Sequence, residues 1–388
     1  MALSGAEAAR YSRQIILPEI GVEGQEKLRQ SRILIIGLGG LGSPAALYLA
    51  AAGVGTLGLA DFDRVEVHNL QRQIIHDEMS AGHPKLESAA QRLRALDPDV
   101  QLRFHPQGVT VDNALELFRQ YDLIIDGTDN FPTRYQNNDA AVLAGKPLVY
   151  GSIYQFEGQV SIFDPAQGGP CYRCLFPEMP APGEVPNCDE AGVFGALCGV
   201  VGSFQALEAI KYLTGAGEPL RGRLLAIDAL SLRVRTINLK KHADCPVCGA
   251  HPTITGLQAD RYEWSCQVPE PDDTAPTMSG QLPVEISVED AHALLQQPEA
   301  ERPLLVDVRE DHELAICQIP GNRHIPLGEL GKRQAELPED RPILVLCHHG
   351  SRSLRAAQAM RRAGYEAASI RGGIDQWAEQ YAPDMRRY

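Results

Sequence analysis

The sequence has no uninterrupted apolar run long enough to cross a membrane. Its longest apolar stretch, residues 45–60, is broken by three glycines, whereas a transmembrane helix needs about 20 consecutive apolar residues. A basic segment followed by an apolar one, typical of a secretory signal, is also missing from the start, "MALSGAEAARYSRQ". We therefore expect a soluble, cytoplasmic protein that has no membrane partner.

An excess of positive charge is also absent. The chain carries 36 Lys and Arg against 50 Asp and Glu, for a formal net charge of −14. Nucleic acids and anionic membrane surfaces select basic proteins, so we expect neither as the main partner. This composition still leaves room for a local basic pocket.

Cysteine is too sparse for a disulfide-stabilised scaffold. There are nine cysteines in 388 residues and no secretory signal, which favours metal ligation and thiol chemistry over disulfides. The apolar fraction of 44% is typical of a globular protein, and the length suggests two or three domains.

Short apolar strands alternate with helical patterns along most of the chain. In "RILIIGLGGLGSPAALYLAAAGV" (32–54), a β-branched run gives way to a glycine loop and then to an Ala/Leu-rich helix. This alternation predicts an α/β fold with a Rossmann-like, doubly wound parallel sheet. Further strands are predicted at 56–63, 121–130, 146–153, 158–164 and 222–230.

A break in composition divides the chain. Proline, acidic and small residues dominate residues 267–282, and this stretch is interpreted as a linker. It separates a large domain, residues 1–266, from a smaller α/β domain, residues 283–388, in which a second strand–helix pattern begins.

The glycine loop indicates a nucleotide site. Gly37, Gly39 and Gly42 form GxGxxG between a strand and a helix, and Asp61 ends the next strand, where an acid meets a ribose hydroxyl. On these residues alone, an NAD(P)-dependent oxidoreductase is the ordinary interpretation.

Three further stretches favour a triphosphate instead. "HNLQRQ" (68–73) supplies an arginine, "GHPKLES" (82–88) a lysine, and "DGTDN" (126–130) two acids at the end of a strand. Cations hold phosphates and a carboxylate holds Mg²⁺, whereas hydride transfer requires neither.

In these motifs the chain resembles the E1-like adenylyltransferases of the MoeB and ThiF type. "RYSRQI", "GLGGLG", "LADFD", "NLQRQ", "GHPK", "DGTDN", "PCYRC" and "CPVCG" match that family in order over residues 10–250. The resemblance implies ATP with Mg²⁺ as the cofactor and a homodimer in which Arg13 reaches the neighbouring subunit's ATP. It implies that Asp129 binds Mg²⁺. The nucleotide-binding residues it implies are Gly40, Asp61, His68, Asn69, Leu70, Gln71, Arg72, Lys85, Asp129 and Asn130.

Two CxxC pairs predict a zinc site. Cys171 and Cys174, with Cys245 and Cys248, can close a tetrahedral thiolate shell without a water position, which is typical of one structural zinc per subunit. A redox-active CxxC is the alternative.

Cys188 lies in a proline- and glycine-rich stretch, "PGEVPNCDEAGVFG" (182–195), where a thiol can be exposed and reactive. The family resemblance implies a part in later sulfur or acyl steps; an ordinary loop cysteine is the alternative. Cys198 is interpreted as a core cysteine because its neighbours are small and apolar.

Cys347 follows an apolar strand and begins "CHHGSRS" before a predicted helix. Backbone N–H groups and a helix N-terminus there favour an anionic sulfur, and Arg352 and the histidines are expected to add positive charge. From residue 283 onward the chain resembles a rhodanese domain, which implies that Cys347 carries a persulfide. It departs from that family at "CQIPGN" (317–322), and a catalytically silent docking domain is the alternative.

Together the two halves predict an adenylyltransferase fused to a sulfurtransferase. The resemblance implies a ubiquitin-like sulfur-carrier protein with a Gly-Gly C-terminus as the substrate, and its thiocarboxylate as the product. Thiosulfate or a cysteine desulfurase is the expected sulfur donor. A non-catalytic zinc scaffold is a third interpretation, and molybdopterin, thiamin, tRNA-thiolation, cysteine and siderophore pathways are all compatible with such a carrier.

Overall fold

A computed structural model describes residues 3–181, 192–262, 282–338 and 340–388. The chain divides into two compact units, residues 1–265 and 266–388. No helix in these described ranges is both long and apolar enough to span a membrane.

The first unit is built on an eight-stranded sheet with the strand order β3-β2-β1-β4-β5-β6-β7-β8. The first five strands of this order are parallel, and β6, β7 and β8 run antiparallel to their neighbours. The prediction of a doubly wound α/β fold is confirmed, with an antiparallel extension at one edge. The strands are β1 Arg32–Ile36, β2 Thr56–Ala60, β3 Gln101–His105, β4 Leu123–Asp126, β5 Leu148–Tyr154, β6 Glu157–Phe163, β7 Arg223–Asp228 and β8 Arg233–Asn238.

Helices connect the parallel strands. The helix Gly42–Ala51 follows β1, Lys85–Leu96 follows β2, and Phe131–Ala144 follows β4. The other helices described in this unit are Gly5–Arg10, Ser12–Ile15, Gly21–Gln30, Ala114–Arg119, Tyr172–Leu175 and Gly195–Thr214.

Strand β1 shows why the sheet is covered on both faces. Side chains alternate across a strand, so Ile33 and Ile35 pack in one buried cluster while Leu34 and Ile36 pack in a second cluster on the opposite face. A strand buried on both faces has a continuous apolar sequence, as "RILII" does.

The sheet order also locates a crevice. Strand β1 pairs with β2 on one side and with β4 on the other, so the connections leave β1 and β4 in different directions. Ligands of open α/β sheets bind outside the carboxyl ends of the strands at such a switch point. Gly37 turns the chain there with φ +83°, and a Cβ on Gly42 would lie 1.8 Å from the Gly37 carbonyl oxygen.

The second unit contains a five-stranded parallel sheet with the order β11-β10-β12-β13-β9. Its central strand β12 is fully buried and delivers the chain directly to Cys347. The strands are β9 Glu285–Ile286, β10 Leu304–Asp307, β11 Arg323–His324, β12 Ile343–Leu346 and β13 Ala367–Ile370. The helices are Val288–Leu295, Asp311–Leu314, Ser351–Arg362 and Gly373–Tyr381.

Candidate active sites and metal centre

A cavity opens at the carboxyl ends of β1, β2 and β4. The space between its walls is about 1040 Å³, a figure that includes open solvent at its mouth. Its wall contains the glycine loop, both cationic residues predicted for phosphate binding, and one of the two acids of "DGTDN". The polar side chains of the wall are Asp61, Asp63, Arg72, Gln73, Lys85, Thr128, Asp129, Asn130, Thr133 and Arg134.

Asp61 shapes the glycine loop as well as the cavity wall. One carboxylate oxygen accepts a 2.7 Å hydrogen bond from the backbone N–H of Leu38, and the other accepts one of 2.8 Å from Asp63. Asp61 is buried at the end of β2, so the loop and the acid hold each other in place.

The predicted phosphate ligands are each fixed by a neighbour. The ammonium of Lys85 lies 2.8 Å from a carboxylate oxygen of Asp63, and Lys85 is buried whereas Asp63 is half exposed. The Arg72 guanidinium donates to the side-chain oxygen of Asn69 at 3.0 Å. Two cations are therefore held at the wall, and Asn69 positions one of them.

The two acids of "DGTDN" have different surroundings. Asp126 is fully buried and accepts hydrogen bonds from the backbone N–H and the hydroxyl of Thr128, and burial raises the pKa of its carboxyl. Asp129 is exposed and lines the cavity, so it offers the carboxylate that a hard cation such as Mg²⁺ prefers. Asn130 caps the helix Phe131–Ala144 by accepting from Thr133.

Four of the predicted nucleotide residues do not line the cavity in the part of the chain that the structure describes. They lie in the short 3₁₀ helix and turn that lead to Arg72, and they are His68, Asn69, Leu70 and Gln71. Arg13 is exposed on the helix Ser12–Ile15 and does not line the cavity of its own chain.

Cys198 leaves no room for a side chain at the position of Gly40. A Cβ at Gly40 would lie 2.8 Å from the sulfur of Cys198, which is shorter than any tolerated contact. Cys198 packs in a buried apolar cluster with Leu41, Ile153 and Val201, in agreement with its interpretation as a core cysteine. It also forms part of the cavity wall.

Sequence reasoning missed several wall residues. Gln73 is 5% exposed, and its side-chain oxygen has no hydrogen-bond partner within the described ranges. Arg134 donates to the Thr128 carbonyl and so supports the loop that carries Asp129. The signal that could have identified these two residues is their spacing from predicted ones. Gln73 directly follows Arg72, and Arg134 lies one helical turn after Asn130.

The four predicted zinc ligands come together in the first unit. The sulfur of Cys171 is 3.9 Å from that of Cys174 and 3.5 Å from that of Cys245, and the sulfurs of Cys174 and Cys248 are 3.4 Å apart. All four lie within 4.8 Å of one another. Zn–S bonds of about 2.3 Å in a tetrahedron require sulfurs about 3.8 Å apart. The cluster therefore fits zinc.

We expect the zinc to hold the segment after β8 against the helix Tyr172–Leu175. Changing both Cys245 and Cys248 to serine should remove the zinc and cost about 3–5 kcal/mol of stability. At about 2–4 °C per kcal/mol, this lowers the Tm of the first unit by about 10 °C. Metal analysis and calorimetry measure both effects, with Cys317→Ser as the control. An unchanged melting curve for the double variant would rule out a structural metal.

The loop of the second unit surrounds its cysteine closely. Cys347 is 1% exposed; the backbone N–H of Gly350 donates to its sulfur at 3.1 Å, and the Ser353 hydroxyl lies 3.3 Å away. The helix Ser351–Arg362 begins directly after this loop. A helix N-terminus and a converging N–H group favour a sulfur anion.

The side chains around the loop supply less positive charge than the sequence suggests. Burial lowers the pKa of His348 to about 4. The prediction that this histidine adds positive charge is therefore wrong at neutral pH. Arg352 forms two 2.7 Å hydrogen bonds with the carboxylate of Glu313, which compensates its charge. The described contact that would favour a sulfur anion is therefore the backbone N–H of Gly350.

Asp307 and Arg309 form a fully buried ion pair at 2.7 Å, and Asp307 lies beside Leu346, the residue that precedes Cys347. Cys188 lies outside the described residues.

Residues 11–247 match the ThiF family, and residues 287–380 match the rhodanese-like domain. The "Probable adenylyltransferase/sulfurtransferase MoeZ" of Mycobacterium tuberculosis is 48% identical over 100% of this chain and 97% of its own length. The "Adenylyltransferase and sulfurtransferase MOCS3" of Drosophila sechellia is 42% identical over 100% of this chain and 86% of its own.

Solved structures share the fold of the first unit. Escherichia coli MccB with MccA-N7isoASN superposes with a TM-score of 0.57 at 23% identity, covering 64% of this chain and 75% of that one. MccB with ATP gives a TM-score of 0.54 at 23% identity, covering 62% and 74%. The chain thus belongs to the ThiF family, carries a rhodanese-like domain, and is an enzyme of the adenylyltransferase and sulfurtransferase class.

Proposed function

We propose that the first unit adenylylates the C-terminal glycine of a ubiquitin-like sulfur-carrier protein with ATP. The observation that carries this proposal is the cavity in which Arg72, Lys85 and Asp129 lie around one glycine loop. Two cations and an exposed carboxylate suit a triphosphate with a divalent cation. The relatives named adenylyltransferase support the same reaction.

The reaction joins two anions. The carrier carboxylate attacks the α-phosphate of ATP, the bond to the β-phosphate breaks, and pyrophosphate leaves, so that the carrier ends as an acyl adenylate. Arg72 and Lys85 neutralise the repulsion between the anions, and the glycine loop brings the backbone close to the nucleotide. Asp61 and Gly40 hold the nucleoside end.

Mg²⁺ and zinc have different places in this scheme. Asp129, with Asn130 beside it, would hold Mg²⁺, which would supply charge compensation for the phosphates. The four cysteines, none of which lines the cavity, would hold one structural zinc per subunit. We also propose a homodimer, in which Arg13 serves the cavity of the partner subunit.

The second unit would supply sulfur through Cys347. Its thiolate takes the outer sulfur of thiosulfate and releases sulfite, leaving Cys347 as a persulfide; a cysteine desulfurase can deliver the same sulfur. The persulfide anion attacks the acyl adenylate and displaces AMP, which forms an acyl disulfide. A second thiol, which we assign to Cys188, attacks the Cys347 sulfur and releases the thiocarboxylate, and a thiol reductant then opens the new disulfide.

Intact-mass measurement tests the whole scheme. The protein, a Gly-Gly-ended ubiquitin-fold carrier, ATP, Mg²⁺, thiosulfate and a thiol reductant are incubated together. We expect the carrier to exchange one oxygen for one sulfur and to do so only when ATP is present. A carrier that lacks its last glycine is the control. A carrier mass that never changes, with pyrophosphate still released, would confine the enzyme to adenylylation.

A further inference from the structure

We propose that Tyr388 is a positioning residue for the Cys347 loop. Tyr388 lies in the second unit. Its hydroxyl contacts Arg309 and Glu313, and its ring stacks on His348. The inference rests on the proposed role of Cys347 as the sulfur carrier, and it assigns the geometry of the loop to a residue far from it in sequence.

The phenol of Tyr388 joins two ion pairs. Its hydroxyl donates to a carboxylate oxygen of Glu313 at 2.9 Å and accepts from the Arg309 guanidinium at 2.8 Å. Glu313 in turn binds Arg352 through both carboxylate oxygens, and Arg309 is paired with Asp307. The hydroxyl therefore connects this buried pair to the pair at the loop's far end.

The ring of Tyr388 holds the near end of the loop. It stacks on the imidazole of His348, with centroids 4.2 Å apart and planes inclined by 6°. His348 directly follows Cys347 in the chain and is itself buried. Tyr388 thus restrains the loop at two points. It stacks on His348, which follows the cysteine, and through Glu313 it holds Arg352, which precedes Ser353.

This double restraint matters because the sulfur depends on backbone geometry. The N–H of Gly350 reaches Cys347 at 3.1 Å only while the chain between His348 and Arg352 keeps its turn. Since His348 is neutral and Arg352 is compensated by Glu313, little side-chain charge would replace a lost N–H contact. Loosening the turn should weaken the Gly350 contact to the sulfur and slow the reaction of Cys347.

The chain contains a matched control. Tyr381 stacks on His292 with centroids 3.9 Å apart and planes inclined by 6°, in the same unit. Tyr381→Ala therefore removes an equivalent aromatic stack without touching Glu313, Arg309 or the loop. Tyr388→Phe keeps the ring and removes only the hydroxyl.

The test measures Cys347 itself in the full-length protein. Iodoacetamide labelling of the Cys347 peptide, followed by mass spectrometry from pH 5 to 10, gives the apparent pKa of the thiol. Thiosulfate turnover gives kcat and KM. For Tyr388→Ala we expect a labelling profile that differs from that of the wild type and a kcat about 10-fold lower at nearly constant KM, since hydrogen bonds to charged groups are lost. Tyr388→Phe should lie between this variant and the wild type.

The control variants decide the outcome. Tyr381→Ala should lower the Tm and leave the labelling profile unchanged. Profiles identical to the wild type in both Tyr388 variants would overturn the proposal, as would equal shifts in Tyr388→Ala and Tyr381→Ala. If Tyr388→Ala fails to fold, the profile of Tyr388→Phe alone decides. A wild-type protein that labels normally at Cys347 but accepts no sulfur would refute the persulfide scheme instead.

Discussion

Cys347→Ala should abolish thiocarboxylate formation and leave ATP–pyrophosphate exchange at the wild-type rate. We assign the two activities to separate compact units, and among the described residues none of the Cys347 loop lines the cavity proposed for ATP. Removal of a nucleophile typically costs at least about 10³-fold in turnover. The thiol is buried in an apolar cluster, so replacement by alanine is also a small change in volume.

Three measurements separate the steps for this variant: radioactive pyrophosphate exchange into ATP with carrier present, the mass of the Cys347 peptide after thiosulfate treatment, and the mass of the carrier. Cys317→Ala serves as the matched control, because this half-buried cysteine lies in the same unit and the scheme gives it no role. Normal thiocarboxylate yield from Cys347→Ala, with thiosulfate as the donor, would refute the persulfide route.

The features that sequence predicts well here are local. "RILII" followed by GxGxxG identifies strand, turn and helix because apolar run, glycine spacing and Ala/Leu pattern are consecutive in the chain. Asp61 directly follows the next strand and Lys85 begins the next α-helix, and both line the cavity. The zinc cysteines are separated by about seventy residues, but each CxxC pair carries its own chemical signature.

The sequence could not predict the net charge around Cys347, because contacts with distant residues decide how much charge Arg352 and His348 contribute. The sequence predicts that Arg352 places a positive charge beside Cys347. Glu313, which is 39 residues away in the chain, binds Arg352 through both carboxylate oxygens and compensates that charge. The sequence suggests that His348 is a polar loop residue, but it is 4% exposed, and burial lowers its pKa to about 4. Pairing and burial depend on distant parts of the chain, so no local pattern reports them.

The antiparallel edge of the first sheet shows the same limit. The segments 158–164 and 222–230 were correctly expected to be strands, but their direction depends on the strands beside which they lie. Strand β6 returns from β5 through a short turn at Gln155, which has φ +51°, and this turn makes the pair antiparallel. A period-2 pattern contains no information on that choice.

Asp129→Ala should reduce carrier-dependent ATP–pyrophosphate exchange by about 10³-fold or more, because the charge of a bound divalent cation is a large part of phosphoryl-group stabilisation. The variant should fold normally, since Asp129 is exposed at the cavity wall. Asp99→Ala, which removes an exposed acid that does not line the cavity, is the control and should exchange at the wild-type rate.

Asp126, the other acid of "DGTDN", provides a comparison. Its replacement also removes a carboxyl group, but it should affect stability rather than Mg²⁺ dependence. Asp126 is buried and bound to Thr128, so Asp126→Ala leaves buried donors without an acceptor and should lower the Tm, with an expected cost of about 1–3 kcal/mol. Asp129→Ala should leave the Tm nearly unchanged and remove the dependence of exchange on Mg²⁺ concentration. A variant at Asp129 that exchanges at the wild-type rate with the same Mg²⁺ dependence would assign the cation to another residue, because no folding defect could then hide the effect.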